Sequence, residues 1–519
     1  MSNETVANKP ECASGPRTMV IPEFLLKHIH YEVNETLDER SQRVQEIGAN
    51  LLKSGDEAAL EVGVLLPFTD VYDLTGQQID PINARNIARS IDSYRSRTPM
   101  DNGTEPWTEV SNNLEQVRRL GEFWSTETEG FQRKPNLLHP SSLQRGPIVE
   151  AAIVKDFLVN NNITKEAILA RSLYLLERLT SYRDEMEASG HALENADEVL
   201  ALVDETDAIY VQLCDVIAYD QLSAALYDKV VQVKYYLANR HGDIRILREK
   251  YNSYLAYADG VAGIMQQVYS TCLGNDCALE PSITHNDTHD TYYWLSGIVD
   301  TSSTDDEYDK SHPRARATTV KLRGRLKSFG AFLEKAIPLM ASIDENKEVM
   351  DIVGLSIIPA IDEDIPQLYC DLIDTLNVLK REGSLEFQAS PSRTEALHVK
   401  GPQWFTDACT DTNRLSHSGV KALTGHLIET KSSSTGYNVA KATFLLMVPN
   451  GSEPDSSPIP VEIQVVSSET RDGVRTGPHS HWRHKLEKYK NYNFSSEEIK
   501  QFAAALHAIK AHLERRAGT

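Results

Sequence analysis

The residue types best suited to chemistry lie in the second half of the chain, as two carboxylates set in apolar runs and a group of cations at helical spacing. In residues 317–337, ATTVKLRGRLKSFGAFLEKAI, Lys327, Ala331 and Lys335 fall four apart on one helical face, with Arg325 just ahead of them. Several fixed cations on rigid elements suit a polyphosphate, because together they hold negative charge that each alone holds weakly. A solvated basic face has the same composition, so the cations alone do not decide the matter. Asp351 interrupts the apolar run VMDIVGLSII at 349–358, where a carboxylate needs a partner, and an ion pair with Arg325 or Lys327 would supply one. Glu462 and Gln464 alternate with Val461, Ile463 and Val465 in PVEIQVV, which puts both polar groups on one strand face and the aliphatics on the other. Near the end of the chain, His481, Arg483 and Lys485 are further groups able to serve phosphates, while Trp482 between them reads as core.

Elements must hold these groups in place. Thr318, Val320 and Leu322 alternate with Thr319, Lys321 and Arg323, and Phe329, Phe332, Leu333 and Ile337 recur at helical spacing, so a strand feeds a helix. The run around Asp351 is a second strand, followed by a helix over 364–379 with Asp364 as its cap. TGYNVAKATFLLM at 435–447 is a Gly-Tyr turn entering a third strand, and PVEIQVV is a fourth. Ser495 with Glu498 forms a capping box that opens a last amphipathic helix reaching Arg516. The expected fold class is α+β: a mixed sheet flanked by helices, preceded by a mainly helical region.

At 519 residues with 40% hydrophobic content, the chain has room for about three domains of ~150 residues with proper cores. No window approaches the ~20 apolar residues of a membrane span, and the polar start lacks the apolar stretch of a signal peptide. Six cysteines scattered over this length suit reduced thiols, so the expected compartment is the cytoplasm, with no membrane partner. A net charge of −22 argues against a broad nucleic-acid footprint. The sign reverses locally: Lys310, Arg314, Arg316, Lys321, Arg323, Arg325, Lys327 and Lys335 share a segment whose only acidic residue is Glu334.

The expected divisions are a disordered tail at 1–17, a helical and irregular module at 18–140, a helical region at 141–270, an acidic loop at 271–312, the site-bearing domain at 313–492 and a C-terminal helix at 493–519. In the helical region Thr164 caps a helix running through Glu187. Cys272, Cys277, His285 and His289 are too closely spaced for a zinc finger and are read as part of the acidic loop. The N-terminal helices carry no chemistry of their own and are read as regulatory, as a scaffold, or as a surface for a protein partner or a second copy.

Taken in order, the strand-helix cations, the Asp351 strand, the Gly-Tyr turn, the EIQ strand and HWRHK resemble the synthetase domain of the RelA/SpoT family. The resemblance covers roughly residues 314–490. It implies a nucleotidyltransferase-like synthetase core that moves pyrophosphate from ATP to the ribose 3′ hydroxyl of GDP or GTP, making an alarmone with Mg²⁺ as cofactor. Some small relatives act instead on the 3′ end of tRNA. By this resemblance Arg325, Lys327 and Lys335 bind ATP, Asp351 and Glu462 bind magnesium, and Glu462 is also the general base. Lys431 and Tyr437 serve the acceptor, with the Tyr437 ring stacked on guanine, and Gln464, His481, Arg483 and Lys485 complete the nucleotide site. The chain departs from the family pattern at Ala331, where a serine is usual, at Ser356 and Val466, where arginines are usual, and at Lys441, which replaces a histidine. These departures also suit a catalytically degenerate protein that senses nucleotides or acts as a scaffold. The preceding chain lacks the accompanying histidines of a metal-dependent phosphohydrolase, so no hydrolase domain is expected.

Overall fold

In the computed structural model, residues 35–69, 112–121, 123, 151–190, 196–273, 280–285, 291–300, 319–340, 349, 351–359, 365–388, 398–401, 428–430, 439–449, 456–477, 480, 482–483 and 495–515 are described. The first half is helical: α1 (Glu35–Leu51), α2 (Glu57–Thr69), α3 (Ala151–Asn160), α4 (Lys165–Ser189), α5 (Ala196–Glu205), a π-helical turn (Thr206–Tyr210), α6 (Val211–Val216), α7 (Asp220–Leu237), α8 (His241–Ala256) and α9 (Ala258–Leu273). The start of α4 follows from its sequence, since the Thr164 hydroxyl accepts from Ala167 N, and Gly190 closes the helix at φ 69°.

The second half supplies β1 (Glu280–His285), β2 (Thr291–Asp300), β3 (Thr319–Leu326), α10 (Phe329–Met340), β4 (Val353–Ile358), α11 (Ile365–Arg381), β5 (Phe387–Gln388), β6 (His398–Gly401), β7 (Ile428–Thr430), β8 (Ala440–Pro449), β9 (Ser456–Val465), α12 (Ser468–Thr476) and α13 (Ser496–Arg515). The strands form one mixed sheet in the order β1-β2-β3-β4-β9-β8-β6-β7, with β5 attached to β8. The β4–β9 and β6–β7 pairs are parallel and the others antiparallel. The fold is therefore α+β, and no helix among the described residues is long and apolar enough to cross a membrane.

Register gives the centre of the sheet two unlike faces. Leu322, Ile357, Val465 and Ala440 lie in one cross-strand row, and Leu326, Val353, Val461 and Phe444 in another. All eight are buried. They share a core with Tyr182, Val230, Tyr251, Met265, Phe332 and Leu372, so α4, α7, α8, α9, α10 and α11 all contribute to the core on this side of the sheet. A second core joins α1, α2, α3, the first half of α4, α6 and the start of α7 to Trp482 and α13. Helices α4 and α7 run through both cores.

These cores correct three sequence expectations. The helices at 141–270 do not form a unit apart from the sheet, because they contribute a large part of the core they share with it. The C-terminal helix is likewise not separate: Leu506, Ile509 and Leu513 are buried in the second core, and His512 Nε2 lies 3.0 Å from Ile163 O. Its capping box forms as read, with Ser495 Oγ accepting from Glu498 N at 3.3 Å and Glu498 accepting from Ser495 N at 2.8 Å. The segment read as an acidic loop contains β1 and β2. The run TYYWLSGIVD of β2, rich in aromatic and β-branched residues, pairs with β3 from Trp294 to Asp300. The expected tail at 1–17 lies outside the described residues.

Candidate functional site

The opposite face of the central sheet is polar, and the same register builds it. Arg325, Gly354, Glu462 and Thr443 occupy one cross-strand row, and Arg323, Ser356, Gln464 and Lys441 the next. Glu462 and Gln464 thus share a face as their alternation in the sequence predicts, and Val461, Ile463 and Val465 are buried behind them. Because Gly354 has no side chain, the row is left open between Arg325 and Glu462, two strand spacings or about 10 Å apart. The Arg325 side chain crosses this opening, its Cγ lying 3.8 Å from where a Cβ on Gly354 would stand.

Glu462 is held by its neighbours on the face. Lys441 Nζ donates to its two carboxylate oxygens at 3.3 and 3.4 Å, and Gln464 Nε2 also donates to it. Lys441, which marks a departure from the family pattern, is therefore the cation in direct contact with the candidate base. Its parity on β8 is the only sequence signal for this, and that signal is empty until the β8–β9 register is known.

Asp351 stands two residues ahead of β4, at the end of the β3–β4 pair where the Arg325 row lies. The ladder continues past β3, with Lys327 N donating to Ile352 O at 2.7 Å. Lys327 Nζ then donates to Asp351 Oδ2 at 3.0 Å, and Lys335 Nζ donates to the same oxygen. Of the two partners considered for Asp351 from the sequence, Lys327 takes the role, joined by Lys335 from the first turns of α10. Burial pushes the Lys327 ammonium down to about 8, against the opposing pull of Asp351. For Asp351, burial raises the carboxyl pKa, but Lys327 and Lys335 together outweigh it and hold the group below its ordinary range.

The turn between β3 and α10 is gripped from the helical half of the chain. Tyr251 OH on α8 donates to Lys327 O at 2.7 Å, and the Asp228 carboxylate on α7 accepts from Gly330 N. Gln232 Nε2 donates to Asp228 at 2.6 Å, and Arg248 stacks over the Phe329 ring at 3.7 Å. Ser328 does not replace the family's serine at 331; its hydroxyl accepts from Ala331 N at 3.4 Å and caps α10. None of these holding residues was singled out from the sequence, because a tyrosine or aspartate on a helix carries no local mark of what it will touch.

Among the other expected site residues, Lys431, Tyr437, His481 and Lys485 lie outside the described residues. Arg483 is 6% exposed, beside Trp482 of the second core, and offers a phosphate little surface. Trp482 packs edge-on to Phe502 at 6.1 Å, as core. Val466 is buried with Ile358 and Val439, so an apolar cluster fills the place where the family carries an arginine.

Asp351 and Glu462 are hard oxygen donors. Among the described residues no group of three acidic, histidine or cysteine side chains gathers to hold a metal. Either carboxylate is of the kind magnesium takes, since that ion is usually bound by one or two carboxylates with substrate phosphates and water completing the octahedron. The lysines now on both carboxylates would have to give way to such an ion or share the site with substrate phosphates. No known family model matches the chain, and no curated protein matches it either.

Proposed function

We propose that the chain is a divergent RelA/SpoT-like pyrophosphokinase that transfers pyrophosphate from ATP to the 3′ hydroxyl of GDP or GTP, or to a related acceptor such as the 3′ end of tRNA. The observation that carries this reading is the register, which sets Arg325, Glu462, Gln464 and Lys441 in adjacent rows of one face, with Lys327, Lys335 and Asp351 at the end of the same strands. In this reading Arg325, Lys327 and Lys335 hold the donor's phosphates, and Lys431 and Tyr437 serve the acceptor. The acceptor hydroxyl attacks the β-phosphorus, the bridging bond to the α-phosphate breaks, and AMP leaves. Glu462 takes the hydroxyl proton, with Gln464 fixing its orientation. Magnesium, held by Asp351 and Glu462, would supply charge neutralisation on the transferring group.

One observation favours a second reading. Both carboxylates are already paired with lysines, Asp351 with Lys327 and Lys335 and Glu462 with Lys441, which suits a protein that binds a nucleotide without turning it over.

Incubation with ATP labelled in its β-phosphate and with GDP, GTP or tRNA separates the two, since only the enzyme yields a labelled acceptor. Asp351→Asn and Glu462→Gln should each abolish labelling while leaving the far-ultraviolet circular dichroism unchanged. Absence of label with every acceptor, alongside intact ATP binding, would favour the sensing protein. Loss of fold in either variant would mark its carboxylate as part of a structural ion pair.

A further inference from the structure

The polar face continues past the row of Glu462. Arg323 lies two residues before Arg325 on β3 and on the same side, about 7 Å along the strand. Its Nη1 donates to Asp220 Oδ2 at 3.1 Å, at the first residue of α7. Arg475, in the last turn of α12, donates to both oxygens of that carboxylate at 2.7 and 2.6 Å, and Arg471 stands 3.8 Å away. Three guanidinium groups from two distant parts of the chain thus converge on one carboxylate, in a protein whose net charge is −22. Their side chains are 40%, 15% and 27% exposed for Arg323, Arg475 and Arg471, and Asp220 is 25% exposed. Lys53 closes the same corner, donating to Ala218 O at 3.0 Å and lying 4.2 Å from the centre of the Tyr219 ring.

A clamp between α7 and α12 needs only the Arg475–Asp220 pair, in which one guanidinium nitrogen reaches both carboxylate oxygens. Arg323 adds a third element and a half-exposed cation on the face that carries Glu462. Transfer between two nucleotides, the reading on which this inference rests, brings two sets of phosphates to one face, and each requires its own cations. We propose that Arg323, Arg471 and Arg475 form a second phosphate subsite, separate from that of Lys327 and Lys335, which holds the 5′ phosphates of the acceptor nucleotide. Asp220 keeps the guanidinium groups ordered while the subsite is empty, and the acceptor's phosphates meet their solvent-facing edges.

The test compares binding of GDP, guanosine and ATP with Mg²⁺ to the full chain by isothermal titration calorimetry, in wild type, Arg323→Gln, Arg475→Gln, Asp220→Asn and Lys327→Met. For Arg323→Gln, the GDP-over-guanosine preference should fall at least tenfold, and by more than any loss of ATP affinity. Asp220→Asn removes the competing carboxylate and should tighten GDP several-fold, a gain that a purely structural clamp would not give. Should Arg475→Gln lose its fold, Arg323→Gln and Asp220→Asn decide the matter. An unchanged GDP-over-guanosine preference in Arg323→Gln overturns the subsite; if Lys327→Met still loses ATP, the pyrophosphokinase reading survives. If wild type binds no nucleotide, that reading fails, and inorganic pyrophosphate then tests the subsite alone: weaker binding to Arg323→Gln supports a phosphate site, and equal or no binding overturns it.

Discussion

Lys327 carries the sharpest consequence at the residue scale. Its burial beside Asp351 brings the ammonium pKa down to about 8, so part of its charge is lost within the ordinary working range. The sign for binding follows directly. Below pH 8 Lys327 is a cation and attracts phosphate, while above it the free protein must take up a proton to bind. ATP affinity should therefore fall on going from pH 7 to 9, by up to tenfold per pH unit above 8. In Lys327→Arg the guanidinium stays charged throughout, so the decline should flatten. A titration series across that range checks both, and an identical slope in the two proteins would show that Lys327 does not face the ligand. For folding the sign is the reverse: a lysine with a lowered folded pKa makes the unfolded state the stronger proton binder between about 8 and its ordinary value, so this group adds stability as pH rises through that window.

At the scale of elements, the approach of α7 to α10 sets where the Lys335 ammonium can reach. Gly330 makes that approach possible. A Cβ at this position would stand 2.9 Å from Asp228 Cα and 2.8 Å from Asp228 Oδ1. Two effects compete in Gly330→Ala: alanine in a helix is favoured over glycine by about 1 kcal/mol, whereas overpacking against backbone costs about 1–3 kcal/mol. The neighbour is main chain and cannot swing away, so the clash wins and the variant should be less stable in urea unfolding. A neutral or stabilising result would mean that α10 shifts freely. Strand identity was legible in the sequence here, since the alternation in β3 and β9 has period two and fixes the polar face without any partner. Pairing was not legible, because which rows lie side by side depends on contacts between distant segments. That is why Lys441 reads as a missing histidine in the sequence and as the partner of Glu462 in the fold. The 271–312 segment was misread because its acidic flanks masked the β-rich run of β2.

For the whole molecule, the helical half and the sheet share one core, and the first and last helices share the other. Helix caps and amphipathic spacing placed α4, α10, α11 and α13 in advance, but nothing local indicated which surface they would cover. The structure therefore predicts that a fragment beginning at residue 271 will not fold alone, since the sheet would lose the part of its core that α4, α5, α7, α8 and α9 supply. A fragment with native-like near-ultraviolet circular dichroism and ATP binding would contradict this.

The parallel pairing of β4 with β9 also bears on how the chain reaches its fold during synthesis. Val353 meets Val461, more than a hundred residues later. When the ribosome has completed α4 to α9, their apolar sides have as yet no sheet to cover, and the sheet cannot close until β9 has emerged. The emergence of β9, rather than that of any early segment, should then be the moment at which the nascent protein becomes resistant to protease.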